Sequence, residues 1–203
     1  MHILVCDSGM GNLASVLRAL RGVAPDGTTV SLTNEPDALR RADKLVFPGQ
    51  GAFKACADHV EHGLREVVLE RIRAGTPFLG ICLGMQILFD SSEEAPGVHG
   101  LGVIAGSVRR LAATDGLKVP HMGWNLAVPS GPAHPVLPGD ARHFYFVHSY
   151  ACVPDDPAVV LATTPFGAPF ASAVGKDNVL GLQFHPEKSQ REGLALLERW
   201  MVA

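Results

Sequence analysis

A cysteine between two glycines, Gly80-Ile81-Cys82-Leu83-Gly84, and a histidine two residues from a glutamate, His185-Pro186-Glu187, are the residues of this sequence best suited to covalent chemistry. A thiolate attacks a carbonyl carbon, an imidazole carries the proton to the leaving group, and a carboxylate holds the imidazole. In Gly-x-Cys-x-Gly after an apolar strand, the nucleophile occupies a tight strand-to-helix turn, and the glycines remove Cβ atoms that would crowd it. That turn sets Cys82 at a helix N-terminus, where free N–H groups favour a thiolate. It also aims the N–H of Leu83 at an oxyanion forming beside the sulfur. The plainer alternatives are a small apolar residue on a core strand for Cys82, a satisfied structural histidine for His185 and a solvated carboxylate for Glu187. Strand alternation puts His185 and Glu187 on one face if the extended chain continues, and Pro186, by fixing φ, argues against helical geometry between them.

Positioning these groups requires alternating strands and helices, and the first ninety residues supply them. Strand-like runs fall at 2–6, 29–32, 44–47 and 77–81. Leu13, Val16, Leu17 and Leu20 line one helix face, and Leu64, Val67, Val68 and Ile72 line another. This is the pattern of a parallel sheet with helical crossovers. Further strand-like runs at 144–147, 158–162, 170–174 and 179–184 are joined by links too short for helices, which predicts antiparallel additions. Ser189 with Glu192 has the spacing of a capping box, and Leu194, Leu197 and Met201 form the apolar stripe of a last helix. The expected fold is an α/β three-layer sandwich, a mainly parallel central sheet with antiparallel additions, in a single domain over 1–203.

Composition narrows the class of function. Seventeen basic residues against 20 acidic ones, a net charge of −3, make no basic surface for nucleic acid. No apolar run approaches the roughly 20 residues that span a bilayer, so no membrane role is expected. Four cysteines without paired spacing predict reduced thiols and a cytoplasmic location. Among nine histidines, His143 and His148 with Cys152 nearby do not match a metal-ligand spacing, and strand phase puts His143 and His148 on opposite faces. Neither a metal nor another cofactor is expected. Gly9 and Gly11 lack the third glycine of a dinucleotide-binding turn.

The segments Gly80-Ile81-Cys82-Leu83-Gly84-Met85-Gln86 and His185-Pro186-Glu187 resemble the signatures of class I glutamine amidotransferases. Pro120-His121-Met122-Gly123-Trp124-Asn125, Tyr145-Phe146-Val147-His148-Ser149-Tyr150 and His185-Pro186-Glu187-Lys188-Ser189-Gln190 are similar to one branch, the glutaminase subunits of imidazole glycerol phosphate synthases in histidine biosynthesis. The resemblance runs from Asp7 to the final helix.

It implies that Cys82 attacks the side-chain amide of glutamine, with His185 passing a proton to ammonia and Glu187 holding the ring. Backbone of Gly49, Gln50 and Gly51, with Leu83, would form the oxyanion hole, and Gln86, Ser149 and Tyr150 would hold glutamine. Ammonia would pass to a (β/α)₈-barrel cyclase. Such a barrel needs about 250 residues, so the partner is a separate chain in a heterodimer. Met122, Trp124, Asn125 and Lys188 are the interface candidates by motif position. Two residues depart from the family pattern: Gln50 stands where many members carry Val, and Ser8 where many carry Tyr. The alternatives are a glutaminase subunit of anthranilate or aminodeoxychorismate synthase, against which Met85 in place of the His of those relatives argues, and a regulatory module with an idle triad.

Overall fold

The computed structural model describes residues 1–7, 12–61, 63–112 and 116–203. The glycine-rich turn containing Ser8, Gly9 and Gly11 lies outside the described residues. Strands β1 (His2–Cys6), β2 (Thr29–Thr33), β3 (Lys44–Gly49) and β4 (Phe78–Cys82) carry the parallel half of the sheet, with helices α1 (Leu13–Val23), α2 (Pro36–Leu39), α3 (Phe53–Glu61) and α4 (Leu64–Arg73) between them. A short helix α5 (Leu83–Gln86) follows directly, then β5 (Ser91–Ser92), β6 (Gly106–Arg110), β7 (His121–Pro129), β8 (Arg142–His148) and β9 (Tyr150–Pro154). The chain closes with β10 (Val160–Thr164), β11 (Phe170–Lys176), β12 (Val179–Leu182) and helix α6 (Gln190–Val202).

Among the described residues nine strands form one sheet in the order β2-β1-β3-β4-β12-β11-β10-β7-β8. Pairing is parallel from β2 to β12 and antiparallel from β12 to β8. Strand β12 is thus the seam, joined to β4 in parallel and to β11 antiparallel. A smaller sheet, β5-β6-β9, stands beside it.

The inner parallel strands β1, β3 and β4 are buried on both faces because helices cover both. On β1, Leu4 and Cys6 face a core shared with Phe53, Val60, Val67 and Val68 of α3 and α4. Ile3 and Val5 face a second core with Val16 and Leu20 of α1 and Leu196, Leu197 and Trp200 of α6. The alternation within each strand therefore separates two cores, as in sheets covered by helices on both sides. No helix among the described residues is long and apolar enough to cross a membrane.

Three local expectations are corrected. The run at 158–162 does not begin as a strand: Asp156 accepts a hydrogen bond from the Ala158 N–H at 2.9 Å, and Pro157 starts a 3-10 turn, Pro157–Val159, before β10. Ser189 precedes α6 but makes no side-chain cap, because its hydroxyl is spent elsewhere in the site. Of the expected stripe on α6, Leu197 and Met201 are buried and Leu194 is exposed, while Gly193, Leu196 and Trp200 complete the buried face.

Candidate active site

Cys82 is the last residue of β4 and the residue before α5. Its φ of 55° and ψ of −104° lie where a side chain is strained, at a cost of about 1–3 kcal/mol that the surrounding structure must offset. The glycines make that geometry possible. A Cβ at Gly84 would run into the carbonyl oxygen of Phe47 on β3, and one at Gly80 into the carbonyl of Gly84. Backbone therefore packs on backbone around the nucleophile, and the first N–H groups of α5, beginning at Leu83, have no partner within that short helix.

His185 follows β12, the parallel neighbour of β4. Its N–H donates to the Tyr145 carbonyl at 2.9 Å, and its own carbonyl accepts the Ser189 hydroxyl at 2.6 Å. The same hydroxyl accepts the Tyr145 N–H at 3.0 Å, so Ser189 fastens the turn after His185 to β8. Nδ1 of His185 donates to Oε1 of Glu187 at 2.8 Å. The chain does not continue extended here, as the alternation argument required: Pro186–Lys188 form a 3-10 turn. Proline suits the first position of such a turn, since its missing N–H would be unbonded there anyway. The turn still brings Glu187 back onto the ring.

That leaves Nε2 of His185 buried with no hydrogen-bond partner, the ring atom free to exchange a proton. Burial by itself would lower the pKa of this imidazole. The charge and contact of Cys82, with Glu187 behind, outweigh burial and push it up to about 9. His185 can thus stand as an imidazolium beside the sulfur, with a proton to give to a leaving group.

A cavity of about 350 Å³ opens on Cys82. Gln50, Gly51, Leu83, Gln86, Ser149 and Tyr150 all line it, together with Lys188. Gly49 sits one step behind, its missing side chain making room for Leu83, whose Cβ lies 3.0 Å from where a Cβ of residue 49 would be. Gln86 is buried, and its Nε2 donates to the Tyr150 carbonyl at 3.0 Å and to Oε1 of Gln183 at 3.2 Å. Met122 and Trp124 stand outside the cavity on β7, 63% and 47% exposed, with Trp124 edge-on to Tyr145 at 6.2 Å and Lys188 6.0 Å from the same Tyr145 ring. Asn125 is turned inward, its Nδ2 donating to the Pro165 carbonyl at 2.9 Å and to Nε2 of His121 at 3.2 Å.

Four residues of the site and its surroundings had no role assigned from the sequence. Glu94, just after β5, lines the cavity and accepts the N–H of Phe53 at 2.8 Å. Gln183, fully buried, directs Nε2 at Sγ of Cys82 from 3.6 Å; its signal was its place two residues before His185 on an apolar strand. His121 and His148 form a buried pair, Nδ1 of His121 to Nε2 of His148 at 3.0 Å. Their tautomers are dictated at both ends. The Tyr150 carbonyl can only accept, so Nδ1 of His148 donates to it at 2.8 Å, while the Asn125 amide nitrogen obliges Nε2 of His121 to accept. Burial pushes His148 down to about 3, His121 and His185 adding to the effect against the Tyr150 bond. No cluster of three metal-ligating side chains occurs among the described residues.

Comparison with known proteins adds the family. The profile of "Glutamine amidotransferase class-I" matches residues 4–203. The imidazole glycerol phosphate synthase subunit HisH of Methylococcus capsulatus is 46% identical over 98% of this chain and 95% of its own length. That of Chromobacterium violaceum is 45% identical over 100% of this chain and 98% of its own. Among solved structures, a glutamine amidotransferase superposes with a TM-score of 0.74 at 20% identity, covering 97% of this chain and 98% of its own. The PurLQS complex of Thermotoga maritima contributes a chain with a TM-score of 0.76 at 17% identity, covering 99% of this chain and 97% of its own. These two likenesses concern the fold alone.

Proposed function

Because this chain belongs to the class-I glutamine amidotransferase family, we propose that Cys82 is the nucleophile of a glutaminase that serves as one subunit of an imidazole glycerol phosphate synthase. The observation that carries the reading is identity of about 45% to HisH subunits over essentially the whole of both chains. The elbow, base and cavity are what such an activity needs.

Sγ of Cys82 attacks the side-chain amide carbon of glutamine. The resulting oxyanion is met by the N–H of Leu83 and by the backbone of Gly49, Gln50 and Gly51. The imidazolium of His185 gives its Nε2 proton to the departing nitrogen, and the C–N bond breaks to release ammonia and a γ-glutamyl thioester. Water then adds to the thioester, losing a proton to Nε2, and glutamate leaves as the sulfur is expelled and the protonated imidazole is restored beside it. Glu187 keeps Nδ1 protonated throughout. At the other end of the substrate, the Glu94 carboxylate suits the ammonium group. Ser149, Tyr150 and the side-chain carbonyl of Gln86 complete the cradle.

The ammonia goes to a (β/α)₈-barrel cyclase in a heterodimer, seated on the face that shows Met122 and Trp124, with Asn125 and Lys188 at its inner border. An exposed Trp and Met side by side are suited to anchoring a protein partner. Four free cysteines fit work in a reducing cytoplasm. Glutamate release measured with and without the cyclase and its nucleotide substrate tests the reading. Low activity alone, a large rise with both and loss in Cys82→Ala are expected. Stimulation by a chorismate-using partner with none from the cyclase would overturn it.

A further inference from the structure

We propose that Gln183 is a built-in hydrogen-bond donor to the nucleophile, locked in the donating orientation by Gln86, and that it holds Cys82 as a thiolate. Strands β4 and β12 run parallel with Leu182 opposite Ile81. One further step along both chains brings Gln183 level with Cys82, and Nε2 lies 3.6 Å from Sγ. The side chain is wholly buried, so water does not compete for the contact.

The two ends of a side-chain amide have nearly the same shape, and the hydrogen-bond chain decides which one meets the sulfur. The Tyr150 carbonyl accepts and cannot donate, so the Gln86 atom 3.0 Å from it is the nitrogen. The same nitrogen is 3.2 Å from Gln183, and its second hydrogen requires an acceptor there, the Gln183 oxygen. The Gln183 nitrogen is thereby left facing Sγ. Its opposite number is the Val147 carbonyl, 3.9 Å from Sγ, which can only accept and so favours the S–H form. An N–H does the reverse, because a thiol sulfur is a weak acceptor and a thiolate a strong one. The titratable neighbours of the sulfur are His185, backed by Glu187, and Cys152 on β9, whose thiol is pushed well up by burial and further by the charge on Cys82. Gln183 adds a neutral donor to that set.

The kinetic arm of the test rests on the glutaminase reading; the chemical arm does not. In the full chain, the rate of Cys82 alkylation by iodoacetamide is followed against pH by mass analysis of the modified peptide. Gln183→Met keeps length and neutrality but loses the donor, and Gln183→Glu sets an acceptor against the sulfur. A donor to an ionised group contributes enough that the midpoint of the alkylation profile in Gln183→Met should rise by about one pH unit. It should rise further in Gln183→Glu. In complex with the cyclase, kcat at neutral pH should fall on the order of 10-fold in Gln183→Met. An unmoved midpoint in Gln183→Met, including one accompanied by a uniform loss of activity at every pH, overturns the proposal. If the unaltered complex releases no glutamate, the glutaminase reading fails while the alkylation profiles still decide the role of Gln183.

Discussion

The hydroxyl of Ser189 donates to the carbonyl of His185 across 2.6 Å and accepts the N–H of Tyr145, which ties the turn carrying the base to strand β8. Ser189→Ala leaves the Tyr145 N–H buried without that acceptor. The change should cost about 1–3 kcal/mol in urea unfolding. It should also lower kcat for glutamate release more than it raises KM, since the base and not the substrate cradle is loosened.

Gly84→Ala forces a methyl group into the Phe47 carbonyl, backbone against backbone, where nothing flexible can give way. Unfolding experiments should show a loss of about 3 kcal/mol or more, or no folded protein. Gly22→Ala, on the open face of α1 where a Cβ meets nothing within 4 Å, should instead stabilise by about 0.5–1 kcal/mol.

His148 and His185 give opposite pH limbs. His148 titrates near 3 in the fold against an ordinary 6.5, so the unfolded chain binds its proton first; the stability it allows is complete above 6.5 and drains away as pH falls towards 3. His185, raised to about 9, contributes stability that is complete below 6.5 and is lost as pH rises through 9. Urea unfolding across pH should show His148→Gln flattening the acid limb by about one proton. Cys82→Ser, which removes the sulfur that helps to raise His185, should shift the alkaline limb to lower pH.

Trp124→Ala removes an exposed ring from β7. Stability of the isolated chain should change by less than about 1 kcal/mol. Affinity for the cyclase, measured by calorimetry, should fall by on the order of 2 kcal/mol or more. Unchanged affinity would move the interface elsewhere.

The elements legible in the sequence were those with an unambiguous period or a steric signature. The apolar runs of β1, β3 and β4 read directly because both faces are covered, and Gly80 and Gly84 read directly because only a missing Cβ admits the elbow. What stayed hidden depended on contacts made across the chain. Strand β7 carries Met122 and Trp124 in the open beside buried His121, so its hydrophobicity does not mark its inner face. Ser189 has the local spacing of a cap, but a stronger demand from Tyr145 and His185, distant or turned back in sequence, takes its hydroxyl. Pro186 was read as an obstacle to a helix, whereas a 3-10 turn accepts proline at its start. Gln183 was passed over because a single polar residue on an apolar strand gives no hint of its neighbour until the register of β12 against β4 is known.

That register divides the labour of the cavity between two bodies. Cys82 ends β4 and Gln183 directly follows β12, the parallel neighbour of β4, so the nucleophile and its local donor are set close together by the strand pairing just before them. Glu94 and Tyr150 belong to the smaller β5-β6-β9 sheet and its margins. Tyr150 touches both bodies, because its carbonyl holds the Gln86 nitrogen that orients Gln183, so a displacement of the smaller sheet reaches the substrate cradle and the nucleophile together.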